Sequence, residues 1–303
     1  MDSGEDGLRR AAFGDSPERD VWGALGAPSA RVRWLAAVVL GGQGHYAAAA
    51  TALDALRHDP DPVIASLALS TRASHHRQLG AHHLARGLDG LALARACDAG
   101  AGDADPDGID AAGARVDAVL GLAADAIGAG RPGESRRLLA QLGRTPSWRG
   151  AVRLGWVSAE VELASGRAHA AVAPAEEAYG VAKREGALRH TLKSALVLGT
   201  SLVVEGTPDG LARGVELVEC ELNHSAENGL HPLIWPSALV LVGHAPTVGA
   251  VAINRATEAL SCVLRRADPV SRQVALESPW VPTGLLRSGE PPNADPQTNF
   301  LTD

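Results

Sequence analysis

Glycine returns through this chain at a near-fixed interval, and that return constrains the fold more than any other feature. Gly44, Gly80, Gly130, Gly166 and Gly206 are spaced by 36, 50, 36 and 40 residues. Each stands between two Ala/Leu-rich stretches. Seven residues before the five glycines stand Ala37, Ala73, Ala123, Ala159 and Gly199, and five residues after the first four stand Ala49, Ala85, Ser135 and Ala171. A period of this length, with small residues on both sides of a turn, predicts stacked helix–turn–helix units. The small residues let two helices approach closely, and the glycine supplies the left-handed backbone that ends the first helix.

The remaining residues divide on that frame. Helix pairs are expected at Arg31–Leu40 with Tyr46–Arg57, Val63–Leu79 with His82–Cys97, Ala111–Ile127 with Glu134–Leu142, Trp148–Ala164 with Ala168–Arg184, and Leu188–Val204 with Asp209–Leu222. A sixth, less regular pair is expected at Pro236–Val242 and Thr247–Arg266, and a last helix at Pro269–Glu277. Asp59-Pro-Asp-Pro62 and Thr145-Pro-Ser147 read as helix starts, because proline fits a first turn and blocks continuation. The Gly/Asp/Pro stretch Asp98–Asp110 reads as a solvated loop and accounts for the long interval. Strands are nowhere required. The expected organisation is a loosely held N-terminal segment over 1–20 with a short helix near Gly7–Phe13, a helical-repeat domain over 21–282, and a disordered tail over 283–303.

Composition excludes several classes. A net charge of −7 with pI near 5.9 is the wrong electrostatics for a nucleic-acid surface. No apolar run reaches the roughly 20 residues of a membrane helix, and the polar, acidic start is no signal peptide. Cys97, Cys220 and Cys262 are odd in number and far apart, so reduced, buried thiols and a soluble, cytoplasmic protein are expected. Hydrophobic residues are 46% but aromatic ones only 3%, which favours small-residue helix packing over an aromatic-rich sandwich.

The tract Gly44-His-Tyr46-Ala-Ala-Ala49, running on through Leu53, Leu56 and Pro60, resembles the second helix of a tetratricopeptide repeat (TPR). So do Gly80 to Ala85 with Leu84 and Leu88, and Gly166 to Ala171 with Ala175 and Tyr179. The resemblance covers about Ser29 to Leu222. The pattern departs at Arg72, where an apolar residue is usual, at Ser135, and at Leu211, where a small residue is usual; the sixth unit lacks it. The resemblance implies an all-α fold, a right-handed superhelical solenoid of about six antiparallel helix pairs whose first helices line a concave groove. It also implies groove positions ten and thirteen residues before each glycine. The first set is Trp34, Ser70, Leu120, Trp156 and Leu196, the second Arg31, Leu67, Asp117, Arg153 and Lys193. Arg31 with Trp34, and Arg153 with Trp156, recur as one Arg/Trp pair a helical turn apart. Arg31, Trp34, Arg153, Trp156 and Lys193 are therefore the candidate partner-binding residues: an Arg beside a Trp meets both a carboxylate and an apolar side chain.

The candidate chemistry is sparse. His75, His76, His82 and His83 straddle one turn and form the most conspicuous metal-like cluster, but adjacent histidines point to different faces and no cysteine or carboxylate sits at ligand spacing. Solvated helix-end histidines are the plainer reading. Cys220 and His224, four apart, have contact spacing, with no oxyanion-stabilising motif beside them. The acidic loop lacks the closing Glu of an EF-hand, and Gly41-Gly-Gln-Gly44 lacks the Lys-Ser/Thr of a phosphate loop. The sequence therefore predicts no enzyme, catalytic residue, metal or cofactor. It predicts a scaffold or adaptor that holds a protein or peptide partner. The alternatives are a ligand- or peptide-sensing domain acting on transcription in trans, and an all-α enzyme or metal protein using the four histidines.

Overall fold

The computed structural model describes residues 4–100, 102–143, 145–244 and 249–288. Among these residues all regular structure is helical. The order is α1 (Gly4–Phe13), a 3-10 turn (Trp22–Gly26), α2 (Ala30–Gly42), α3 (Tyr46–Leu56), α4 (Pro62–Gln78), α5 (His82–Asp98), α6 (Ala111–Gly128), α7 (Pro132–Leu142), α8 (Trp148–Leu163), α9 (Ala168–Arg184), α10 (Leu188–Glu205), α11 (Pro208–Glu227), α12 (His231–His244), α13 (Gly249–Arg265), α14 (Pro269–Glu277) and α15 (Leu285–Ser288).

Local chemistry explains the boundaries. The side chains of Ser29, Asp61, Asp110 and Ser147 each accept a backbone N–H in the first turn of α2, α4, α6 and α8. All five recurring glycines have positive φ, between 69° and 83°. At four of these turns the residue after the glycine donates its N–H five residues back: His45 to Leu40, Ala81 to His76, Arg131 to Ala126 and Arg167 to Glu162. This double-bonded turn satisfies the last carbonyls of one helix and aims the chain into the next. Gly186 and Gly229 repeat it at the ends of α9 and α11. In the sixth pair α12 begins at His231, not Pro236; the proline lies inside the helix, where its missing N–H removes a bond to Pro232, itself in the first turn.

Consecutive helices pack in chain order, and the alternate helices α2, α4, α6, α8, α10 and α12 also touch in succession. Ala37, Ala73, Ala123, Ala159, Ala49, Ala85, Ser135 and Ala171 are all 0% exposed. Gly199 shows how close the approach is: a Cβ there would stand 2.5 Å from Val218 Cγ2 and 2.9 Å from the Gly214 carbonyl oxygen. That contact explains the departure at Leu211, which is exposed while Gly214, three residues on, takes the small-residue role.

The two ends of the chain return to the middle. The Ala47 N–H donates to the Arg266 carbonyl at 2.8 Å, Arg72 pairs with Asp268 at 3.2 Å, and Trp280 sits edge-on to His82. At the other end α1 lies against α2 and α10, and the Leu188 N–H donates to the Gly14 carbonyl at 2.9 Å. Two expectations are corrected here. Residues 4–13 are not loosely held: Leu8, Ala11, Ala12 and Phe13 are buried in the core beside Trp34 and Leu35. The segment 283–303 is not wholly a tail: Leu285 is buried, while 289–303 lie outside the described residues.

Gly41 sits within α2, so alanine there would gain about 1 kcal/mol of helix propensity. Its Cβ would stand 2.1 Å from His75 Nε2, a ring already stacked on Tyr46. The clash outweighs the propensity, and Gly41→Ala is expected to destabilise the protein by about 1–3 kcal/mol in denaturant unfolding.

Candidate functional site

The first helices of the pairs converge on one partly enclosed cavity of about 110 Å³. Its wall takes Trp34 from α2, Ser70 and His75 from α4, Asp117 from α6, Arg149, Arg153 and Trp156 from α8, Arg189, His190 and Lys193 from α10, and Trp235 from α12, with Phe13 of α1 added. His190 is the centre of the aromatic wall. Trp156 stacks on it at 5.7 Å, Trp148 meets it edge-on at 5.0 Å, and Phe13 lies 6.1 Å away. Arg149 stands over the Phe13 ring at 5.4 Å and Lys193 over Trp156 at 5.9 Å, both within cation–π range.

Polar bonds run between neighbouring first helices and fix this wall. Asp117 takes Arg149 on one oxygen at 2.7 Å and Arg153 on the other at 2.6 Å. Trp34 Nε1 donates to Thr71 Oγ1 at 3.0 Å, and Trp156 Nε1 to Ser194 Oγ at 2.8 Å. Lys193 faces Glu160 at 3.8 Å. Burial pushes the nearby Glu221 carboxyl up to about 8, with the Ser225 hydroxyl and Lys193 pulling it only part of the way back.

Of the five groove residues expected from the sequence, Trp34, Arg153, Trp156 and Lys193 line this cavity. Arg31 does not. Its guanidinium turns to Asp105 at 3.3 Å and to the Ile109 carbonyl at 3.4 Å, because the acidic loop packs over the start of α2. The wall is also narrower than an open trough, since α1 and α12 close it. Arg149, Arg189, His190, His75 and Trp235 were missed. Arg149 and Arg189 stand seventeen residues before Gly166 and Gly206, one turn beyond the positions used, so extending the same register would have found them. His75 and Trp235 carry no such signal.

Other expectations change too. The four histidines do not converge. His75 is stacked on Tyr46 with ring centroids 4.7 Å apart, His76 faces the Arg72–Asp268 pair, His82 lies 3.5 Å from Asp125, and His83 is exposed. Three of the four are buried rather than solvated, and among the described residues no group of three or more potential metal ligands comes together. Within the loop Asp98–Asp110, residues 102–104 are exposed, but 105–110 form a structural clamp. Asp105 and Asp107 hold Arg9 of α1 at 2.7 and 2.6 Å, Asp107 accepts from Trp148, and Ile109 is 1% exposed. The thiols are not buried: Cys97 and Cys220 are exposed, and Cys262 is half-buried. Cys220 Sγ does lie 3.6 Å from His224 Nδ1, on the exposed side of α11. An unforeseen cluster sits behind the cavity, where fully buried Arg77 of α4 pairs with Asp89 of α5 and Asp125 of α6. Burial raises the Asp89 carboxyl well above its usual range, against the pull of Arg77.

No protein-family model matches this chain, and none of the curated proteins searched matches its sequence.

Asp117→Ala leaves two arginines facing each other without their shared acceptor, and a loss of about 3–5 kcal/mol is expected on chemical denaturation. Burial, with the Arg72 charge, pulls His75 down to about 3 and His76 to about 4, below the ordinary value of 6.5. Groups depressed on folding contribute stability that is complete above pH 6.5 and lost as pH falls toward 4 and 3. Melting temperature is therefore expected to drop across that window. In His75→Asn the slope of that drop, rather than the starting value, is expected to be shallower.

Proposed function

We propose that this chain is a TPR-like, right-handed superhelical solenoid of about six antiparallel helix pairs, and that it works as a non-catalytic interaction module. Its inner face holds a protein or peptide partner. The observation that carries this reading is the convergence of Trp34 from α2, Arg153 and Trp156 from α8 and Lys193 from α10 on a single cavity. The left-handed glycine turns and the succession of contacts between first helices support the solenoid. The three free cysteines fit the reducing cytoplasm. The wall has anchors of the type that dominate binding energy in protein interfaces, Trp and Arg in a desolvated pocket. A cavity of about 110 Å³ admits one terminal residue or side chain of the partner, with the rest of the partner lying across the mouth.

The same small volume favours one second reading, a ligand-sensing domain that passes a bound-state signal to a separate regulator. The test is affinity capture of the intact protein from its native cytoplasm, beside an Arg153→Glu/Trp156→Ala double variant. Reproducible partners lost from the variant, with the fold retained by circular dichroism, are the expected outcome. Identical partner sets from both would overturn the groove assignment.

A further inference from the structure

We infer that the inner cavity is a binding site for a small organic carboxylate, an anionic group attached to a flat or branched apolar body. The inference rests on the inner face being a binding surface, and it specifies what that surface recognises.

Charge balance comes first. Arg149, Arg153, Arg189 and Lys193 line the cavity, and Asp117 is its one lining acid among the described residues. Each cation has protein partners, so the site does not depend on idle charges. Asp117 neutralises one of the two arginines it bridges, and Glu160 stands behind Lys193. A positive excess remains in a partly desolvated space, where an anion gains more than it would in bulk water. Burial raises the neighbouring Glu221 carboxyl above its usual range, which lessens its share of negative charge.

The walls decide between anions. A free phosphate is polar on every side, whereas this cavity sets its cations among Phe13, Trp34, Trp156, Trp235 and Leu196. A guanidinium or ammonium meets the carboxylate, and the indole and phenyl faces cover the apolar body. The backbone is shaped for the same close approach. Gly42 lets Arg189 lie where a Cβ would come within 3.0 Å of its Cδ, and Gly41 leaves room for His75. The His75 ring is 4% exposed, and its Nδ1 has no hydrogen-bond partner among the described residues. The carboxylate has two sources, a free metabolite or the C-terminal residue of a partner chain, and one experiment separates them.

Trp34, Trp156 and Trp235 report on the cavity, so tryptophan fluorescence of the full chain is titrated with benzoate, its neutral analogue benzamide, inorganic phosphate, and a short peptide ending in phenylalanine with a free or an amidated C-terminus. Saturable quenching by benzoate, at least about tenfold tighter than by benzamide, is expected, because a charge-assisted contact is lost with the amide. Lys193→Gln and Arg189→Gln are each expected to weaken benzoate by about tenfold, while Arg213→Gln, on the far surface against Glu176, leaves it unchanged. The benzoate/benzamide comparison on the unaltered protein needs no variant to fold. Benzoate bound no better than benzamide, or not at all, overturns the inference, and phosphate bound as tightly as benzoate overturns the apolar-body requirement. Binding of the free-acid peptide but not its amide assigns the site to a chain terminus; benzoate binding without peptide binding assigns it to a free metabolite. Partner capture that depends on Arg153 and Trp156, with no benzoate binding, sinks this inference and leaves the interaction module standing. Benzoate binding with no captured partner does the reverse.

Discussion

Everything in this structure depends on how closely its helices approach one another. Side chains at the crossing points are reduced to a methyl or a hydrogen, so backbones meet at Ala37, Ala73, Ala123, Ala159 and Gly199 with nothing larger between them. Dispersion and burial at such contacts come from many small atoms in register rather than from a few large side chains. The left-handed glycines set the angle at which each second helix returns. Among the large residues of the first helices, Leu35, Leu40 and Ile64 fill the core between helices, while Trp34, Trp156 and Trp235 line the cavity.

Charge then does what apolar packing alone would leave undecided. Arg77 ties α4 to α5 and α6, Asp117 ties α6 to α8, Lys193 faces α8 from α10, and a tryptophan in α2 and in α8 donates to a hydroxyl on the next first helix. Buried ion pairs add little net stability, because desolvation offsets most of the attraction. Their effect is on register: a helix slipped by one turn would leave an arginine or a carboxylate buried without its partner. Asp117, Arg149, Arg153 and Lys193 also line the cavity, so some of the bonds that align the helices border the space between them.

The closing of the chain on itself separates this molecule from an open trough. Arg9 of α1 reaches Asp105 and Asp107 across nearly a hundred residues, and Asp268 reaches back to Arg72. The first of these contacts, through the acidic loop, holds the α1 helix that adds Phe13 to the cavity wall, and the second holds the start of α14 against α4.

Most of the helix boundaries, the five glycine turns and seven of the cavity residues (Trp34, Ser70, Asp117, Arg153, Trp156, Lys193 and Leu196) were legible in the sequence, because they depend on local rules: caps, left-handed backbone, and the spacing that puts residues on one helix face. The position of Arg189 was available to the same rule carried one turn further. What the sequence could not reveal was long-range pairing. Arg31 has the right spacing for the inner face, and Asp105 takes it away. The four adjacent histidines look like one cluster, and packing sends them to different neighbours. By itself the sequence determined an all-helical chain of paired units, since period and turn chemistry act within a few residues. The tertiary structure alone decided that α1 and α14 fold back onto the middle of the chain, that Phe13 of α1 joins the cavity wall, and which charges face the cavity, because those depend on contacts between residues far apart in the chain.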